Sequence, residues 1–266
     1  MKNFWQQQAI TFGSNVNAVN FDFWAEELET DNIIPFIHEN QVIADVGCGN
    51  GITTLKLAKK FPNSTFIGFD FVPEMVAIAN AEKDKMNLKN ISFYQADLSV
   101  ESSIKHQTET MFDVVISKRL LINLKGNNKF AGISNIYDVL KNDGTYIMIE
   151  CFLEPLKNIN ELRSNISLAP IEVKSFNEYL SFDIFESIKK EFTVKNKIDF
   201  LSFYYFMSRI LNAKLAKGNP KYDDPINEIA VLLSKQGILP IQGFAPELMF
   251  ILTKTNSSKC FFHSKK

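Results

Sequence analysis

The sequence predicts an α/β protein built on an open, doubly wound sheet of seven mostly parallel strands, with three observations behind that reading. Strand-like and helix-like patterns alternate from residue 41 to about 150, which is the rhythm of βαβ units. The first strand-like run ends in glycine at every second position, Gly47, Gly49 and Gly51, as a tight strand-to-helix turn requires. A late apolar run, MFILTKT at 249–255, follows after that rhythm has loosened and suits an antiparallel edge strand.

The elements follow in order. Residues 1–40 carry Phe4, Trp5, Phe12, Phe21, Phe23 and Trp24 and read as a helical lid across the ligand edge of the sheet, separate from the main domain at 41–266. QVIADV (41–46) is a short apolar run stopped by glycines, hence a buried first strand. Ile52, Leu55, Leu57, Ala58 and Phe61 then form a helical stripe that Pro62 ends. STFIGFD (64–70) is the second strand, and Pro73 opens a helix in its first turn, where its missing N–H has no helical partner to lose. That helix buries Met75, Val76, Ile78 and Ala79. ISFYQAD (91–97) and MFDVVIS (111–117) are strands three and four. A helix over 129–140 ends at Asn142-Asp143-Gly144, before a fifth strand at TYIMIE (145–150). Beyond it, 158–164 and 182–190 read as helices, 191–200 as a sixth strand, 203–211 as an apolar helix and 216–226 as loop. Insertions for an acceptor fall at about 151–190 and 201–245. The tail after 255 reads as frayed.

Composition narrows the class. The chain has 266 residues, 45% of them hydrophobic and 22% charged, which is globular and large enough for a sizeable core. A formal net charge of −1 supplies no basic field to recruit nucleic acid or an anionic membrane. Cys48, Cys151 and Cys260 are far apart and odd in number, giving neither a disulfide framework nor a zinc site, so no metal is expected. The first residues hold too short an apolar stretch for a signal peptide, and no run reaches the ~20 apolar residues of a membrane span. A cytoplasmic enzyme, monomer or homodimer, is the expectation.

In an open α/β sheet, ligands bind where the carboxyl ends of the strands diverge. After strand one comes Asp45-Val46-Gly47-Cys48-Gly49-Asn50-Gly51. A dinucleotide turn wants G-x-G-x-x-G, but Ile52 occupies its third-glycine position, which disfavours a nicotinamide-dependent dehydrogenase. Asp70 ends strand two, placed to accept both hydroxyls of a ribose. Asp97, between Ala96 and Leu98, ends strand three, and Ser117 ends strand four.

The D-x-G-x-G-x-G pattern from Asp45, with those residues at the next strand ends, resembles the class I S-adenosylmethionine (SAM) methyltransferases. The resemblance implies a Rossmann-like fold, SAM as cofactor and S-adenosylhomocysteine (SAH) as product. It implies that Asp45 holds the turn together and that Gly47, Gly49 and Gly51 cradle the methionine part. It implies further that Asp70 binds the ribose, that Phe71 packs on the adenine face and that Asp97 and the Leu98 amide read the adenine edge. The backbone of Ser117 would then meet the methionine ammonium. RLLINL (119–124), LKNDGTYIMIE (140–150), INELRSNISLAPI (159–171), FNEYL (176–180) and FYYFMSRI (203–210) resemble one subgroup. It comprises small-molecule methyltransferases found in bacterial capsular and surface-polysaccharide gene clusters. Phe176 departs from that subgroup, where a histidine often precedes the asparagine.

For the acceptor, His38, His106 and His263 all fall outside the ends of strands four and five, so a histidine base is disfavoured. Arg119 and Asn123 follow strand four, and arginine suits carboxylate or phosphate as a planar fork. Glu150 ends strand five as a candidate base or anchor. Arg163, Asn177 and Tyr179 lie in the first insertion, and Tyr204 and Arg209 in the late helix. Three arginines near one crevice suggest an anionic acceptor, one that is phosphorylated, acidic or nucleotide-linked. O-methylation is favoured over N-methylation, because Ser117-Lys118-Arg119-Leu120 is unlike the [DN]-P-P-[YFW] of amino-group methylation. RNA-directed transfer and a non-catalytic SAM-binding protein are the other readings.

Overall fold

The computed structural model describes residues 2–237 and 241–254. Two helices precede the sheet, α1 (Lys2–Phe12) and α2 (Phe23–Ile33). The Asp22 side chain starts α2 by accepting the Ala25 N–H at 3.1 Å, an N-cap that satisfies one of the helix's orphan donors. The strands are β1 (Val42–Val46), β2 (Thr65–Asp70), β3 (Ile91–Gln95), β4 (Phe112–Lys118), β5 (Leu140–Cys151), β6 (Phe192–Ile198) and β7 (Glu247–Lys254). Between them run α3 (Ile52–Lys60), α4 (Pro73–Lys85) and α5 (Asn128–Val139), then α6 (Leu153–Asn165) and α7 (Phe182–Ile188). The late segment is α8 (Ser202–Tyr205), a π-helical stretch at Phe206–Asn212, α9 (Ala213–Leu215) and α10 (Pro225–Lys235).

The seven strands form one sheet in the order β3-β2-β1-β4-β5-β7-β6. All neighbours are parallel except β7, which runs antiparallel to both β5 and β6. The antiparallel strand thus lies at the expected end of the sheet, one place in from the edge strand β6. Side chains alternate between two cores, as strand periodicity dictates. Ala44, Val46, Phe69, Val115, Tyr146, Met148 and Phe250 face α5 and α7, while Ile43, Phe66, Ile116, Ile147 and Met249 face α3, α4 and the end of α2. The sheet is therefore doubly wound.

Two local differences from the sequence expectation have clear causes. The helix before β5 ends at Val139, and the strand begins at once. Its register then jumps from Phe112↔Leu140 to Val114↔Thr145, so Asn142-Asp143-Gly144 bulge out of the ladder instead of ending a helix. The loop after 216 gives way to α10, whose Ala230 and Val231 pack against Leu28 of α2 and Tyr204 of α8. Cys260, His263 and the rest of the tail expected to fray lie outside the described residues. No described helix is long and apolar enough to cross a membrane.

Candidate functional site

The strand order reverses between β1 and β4, and a cavity of about 350 Å³ opens at their carboxyl ends. That volume is in the range of small-molecule sites. Its floor is the glycine turn. Gly47 and Cys48 donate their N–H groups to the Phe69 carbonyl at 2.7 and 3.0 Å, which ties the turn to β2. Gly47 and Gly49 have φ of +79° and +56°, a region costly for residues with a Cβ. A Cβ on Gly49 would lie 2.4 Å from the Val19 side chain, and one on Gly47 2.9 Å from Leu120. The segment between α1 and α2 thus sits directly on the turn.

Two buried aspartates support that floor and line the cavity. Asp45 accepts the Thr54 hydroxyl at 2.5 Å. Asp70 accepts the Gly49 amide through Oδ2 and the Val72 amide through Oδ1, each at 2.9 Å. Burial pushes both carboxyls up to about 6, against the pull of these hydrogen bonds. Phe71 also lines the cavity.

Other residues expected from the sequence lie elsewhere. Asp97 is exposed and folds back on its own turn, accepting the Ser99 amide and hydroxyl at 2.9 and 2.6 Å, an Asx turn. Leu98 is buried in the core. The Ser117 hydroxyl sits behind the wall, 2.8 Å from the Tyr146 hydroxyl. None of these three side chains is among the cavity-lining groups.

The expectation of Glu150 as a catalytic base is corrected by the structure. Glu150 shares the strand face of Tyr146 and Met148, away from the cavity, and is fully buried. Its Oε1 accepts the Leu120 and Leu121 amides at 2.9 and 2.8 Å, and Oε2 the Ile122 amide at 3.3 Å. It anchors the 3-10 turn Leu121–Asn123 through the unpaired N–H groups of a helical start. Burial raises its carboxyl to about 7, opposed by those amides.

Of the three expected arginines, Arg119 and Arg209 line the cavity and Arg163 does not. Arg119 lines the cavity but is held by Glu29, by Glu26 at 3.2 Å and by Glu247 at 3.4 Å. Arg163 is outside the lining and donates to the carbonyls of Ala169 (2.7 Å) and Arg209. Arg209 does face the cavity, paired with Asp22 and set against the rings of Tyr204, Tyr205 and Tyr222. No guanidinium among the described residues is left unpaired there. Tyr204 is buried and donates to Asp22 at 2.7 Å, off the cavity. Asn123, Asn177 and Tyr179 do line it. His38 and His106 are exposed and outside the lining.

The roof joins α1 to the first insertion. Phe4 stacks on Phe176 with centroids 4.2 Å apart, and the Trp5 ring meets Phe176 edge-on at 6.1 Å. Trp5 Nε1 donates to Asn123 Oδ1 at 3.2 Å. Two lining residues carry buried acceptor atoms without a hydrogen-bond partner, Gln8 Oε1 and Asn177 Oδ1.

The sequence reading missed a cluster of five charges. Glu26 and Glu29 on α2, Glu247 at the start of β7, Lys118 at the end of β4 and Arg119 just after it form one buried network. Burial opposes every charge in it. Lys118 and Arg119 nevertheless hold the Glu26 carboxyl well below the usual range, and the glutamates hold both cations above theirs. The available signal was on α2, where Glu26 and Glu29 fall on the same buried stripe as Ala25, Leu28 and Ile33.

Comparison with known proteins agrees with this geometry. A family described as "Methyltransferase domain" matches residues 37–183. The malonyl-[acyl-carrier protein] O-methyltransferase of Bacillus anthracis is 30% identical over 156 residues, 59% of this chain and 51% of that protein. Its Bacillus cereus counterpart is 32% identical over 111 residues, 42% of this chain and 35% of that protein. The chain thus spans about a third to about half of the length of these relatives. Among solved structures, magnesium protoporphyrin IX methyltransferase from Synechocystis, with bound SAH, is similar at a TM-score of 0.56 and 12% identity, covering 95% of this chain and 94% of that one. A TehB-like SAM-dependent methyltransferase from Corynebacterium glutamicum gives a TM-score of 0.51 at 16% identity, covering 86% and 88%. The chain therefore belongs to the methyltransferase-domain family, on a sheet that shares the fold of the class I methyltransferases among those solved structures.

Proposed function

We propose that this enzyme transfers the methyl group of SAM to an oxygen of a small metabolite that carries a phosphate or other anionic group. The roofed cavity carries this reading. Phe4, Trp5 and Phe176 pack together in the lining opposite the glycine turn, which favours a small acceptor over a folded RNA. RNA-methyltransferase relatives match only short stretches, such as 36% identity over 80 residues of a 23S rRNA (uracil(1939)-C(5))-methyltransferase.

The residues present fit SAM. The glycine turn allows close backbone approach, and Asp70 at the wall has oxygens that can accept ribose hydroxyls. Asp45 and Thr54 brace the turn from beneath. The bound cofactor supplies an electrophilic methyl on a sulfonium, open to in-line displacement. The chain contributes proximity, alignment and exclusion of water, with the roof performing the last.

The anionic part of the acceptor is assigned to the mouth. Lys174 lines the cavity, is exposed, and stands 5.6–5.9 Å from the centroids of Phe4, Phe21 and Phe176 with no carboxylate partner among the described residues. The arginines on which the sequence expectation rested are already paired. Two relatives lend support: malonyl-[acyl-carrier protein] O-methyltransferase and a trans-aconitate 2-methyltransferase 39% identical over 56 residues are both named for acidic acceptors. The setting of surface-polysaccharide biosynthesis rests on the resemblance of the segments between 119 and 210. The test is SAH release when the protein and SAM are incubated separately with nucleotide-linked sugars, sugar phosphates, neutral sugars and tRNA. Release with either phosphorylated class supports the reading, and release with tRNA or with neutral sugars alone overturns it.

A further inference from the structure

In the buried charge network, three glutamates face two cations. Glu26, Glu29 and Glu247 are at most 3% exposed. Lys118 Nζ bonds Glu26, Glu29 at 2.8 Å and Thr53 Oγ1 at 2.8 Å. Arg119 reaches Glu29 and Glu26 first and meets Glu247 only at 3.4 Å, the same distance to both oxygens. The two α2 glutamates therefore take most of the available positive charge. Glu247 is left with the longest ion pair, and the Glu29 carboxyl lies beside it. Two carboxyl groups in buried contact cannot both ionise cheaply, so one of them keeps a proton. Of the two, only Glu247 lines the cavity.

SAM and SAH differ by one methyl group and by the positive charge on sulfur. We propose that Glu247 holds a proton in the resting protein and with SAH bound, and releases it to solvent when SAM occupies the cavity. Glu247 is then the residue by which the site tells the donor from the spent product. An opposite charge in a low-dielectric cavity favours the ionised carboxylate. By linkage, SAM affinity rises by up to about tenfold per pH unit while the proton is being displaced, and SAH affinity does not. Burial and the neighbouring Glu29 both push the Glu247 carboxyl well above its ordinary range, which agrees with a proton held at neutral pH.

The charged and titratable groups around Glu247 are Glu26 and Glu29 from α2, Lys118 at the end of β4 and Arg119 just after it, Cys151 from β5, and Tyr179 and Tyr205 from the segments above. Asp45 and Asp70 line the same cavity, but they meet ligand parts common to SAM and SAH, so their protons cancel in the difference. The inference rests on SAM as cofactor and is independent of the acceptor proposed above.

The experiment is calorimetric titration of the full chain at neutral pH with SAM and with SAH, each in two buffers of different ionisation enthalpy. The wild type should release close to one proton more with SAM than with SAH. Glu247→Gln should abolish that difference and weaken SAM about tenfold with SAH unchanged, and Glu247→Asp, which keeps a carboxyl, should retain it. Equal proton release for the two ligands in the wild type, or a difference that survives in Glu247→Gln, overturns the proposal. Failure of both ligands to bind the wild type would contradict the cofactor assignment itself, and the proposal with it.

Discussion

The Asp70 carboxylate accepts the Gly49 amide at 2.9 Å, linking the end of the second strand to the middle of the glycine turn. One side chain thus shapes the turn from beneath while it borders the cavity. Asp70→Ala leaves the Gly49 and Val72 amides without this acceptor, at about 1–3 kcal/mol for each buried group. Urea unfolding should show that loss, and titration with SAH should show about ten- to hundredfold weaker binding. Asp70→Asn, which keeps one acceptor oxygen, should recover part of the stability and less of the affinity.

Glu150 should control the pH dependence of stability. Its carboxyl is near 7 in the folded protein against an ordinary 4.5, so folding favours its protonated form. That stabilisation is fully present below the unfolded value and is lost as pH rises through the folded one. Asp45 and Asp70, both raised to about 6, act in the same direction. Stability should fall between about pH 4 and pH 7, with Glu150 contributing roughly 3 kcal/mol at most. Glu150→Gln should flatten the profile and leave SAH affinity intact. A steep loss of SAH affinity in that variant would return Glu150 to the site.

Arg119→Ala removes the guanidinium that Glu26, Glu29 and Glu247 share. Uncompensated buried charge costs about 3–5 kcal/mol, so denaturant melts should show a loss of that order. Arg119→Lys should restore only part, since an ammonium cannot fork between carboxylates.

How far the sequence revealed this molecule depended on whether the information was local. The glycine turn, Asp70 and the alternating strands are short-range patterns, and each lies where its spacing places it. The parity of β5 was also readable in principle. Tyr146, Met148 and Glu150 share one face, and two apolar neighbours on a buried face argue against a carboxylate aimed at a crevice. The ion network was not readable by spacing, because Glu247 lies more than 200 residues from Glu26 and Glu29. The pairing of Arg119 and Arg209 was hidden for the same reason, since their partners Asp22, Glu29 and Glu247 come from distant elements. Asp97 stands just past its strand, where a local Asx turn took its side chain.

Phe176→Ala should loosen the roof. Aromatic pairs contribute about 0.5–1.5 kcal/mol beyond their buried area, and Phe176 meets both Phe4 and Trp5. Stopped-flow dissociation of SAH should speed up by about threefold to tenfold. An unchanged rate would separate the roof from ligand retention.

The most direct test of the central claim is a crystal structure of the full chain with SAH. SAH should lie in the cavity on Gly47–Gly49, its ribose hydroxyls against Asp70 and its sulfur facing the space between Lys118 and Glu247. A ribose bound away from Asp70, or SAH seated anywhere but on the glycine turn, would contradict the account.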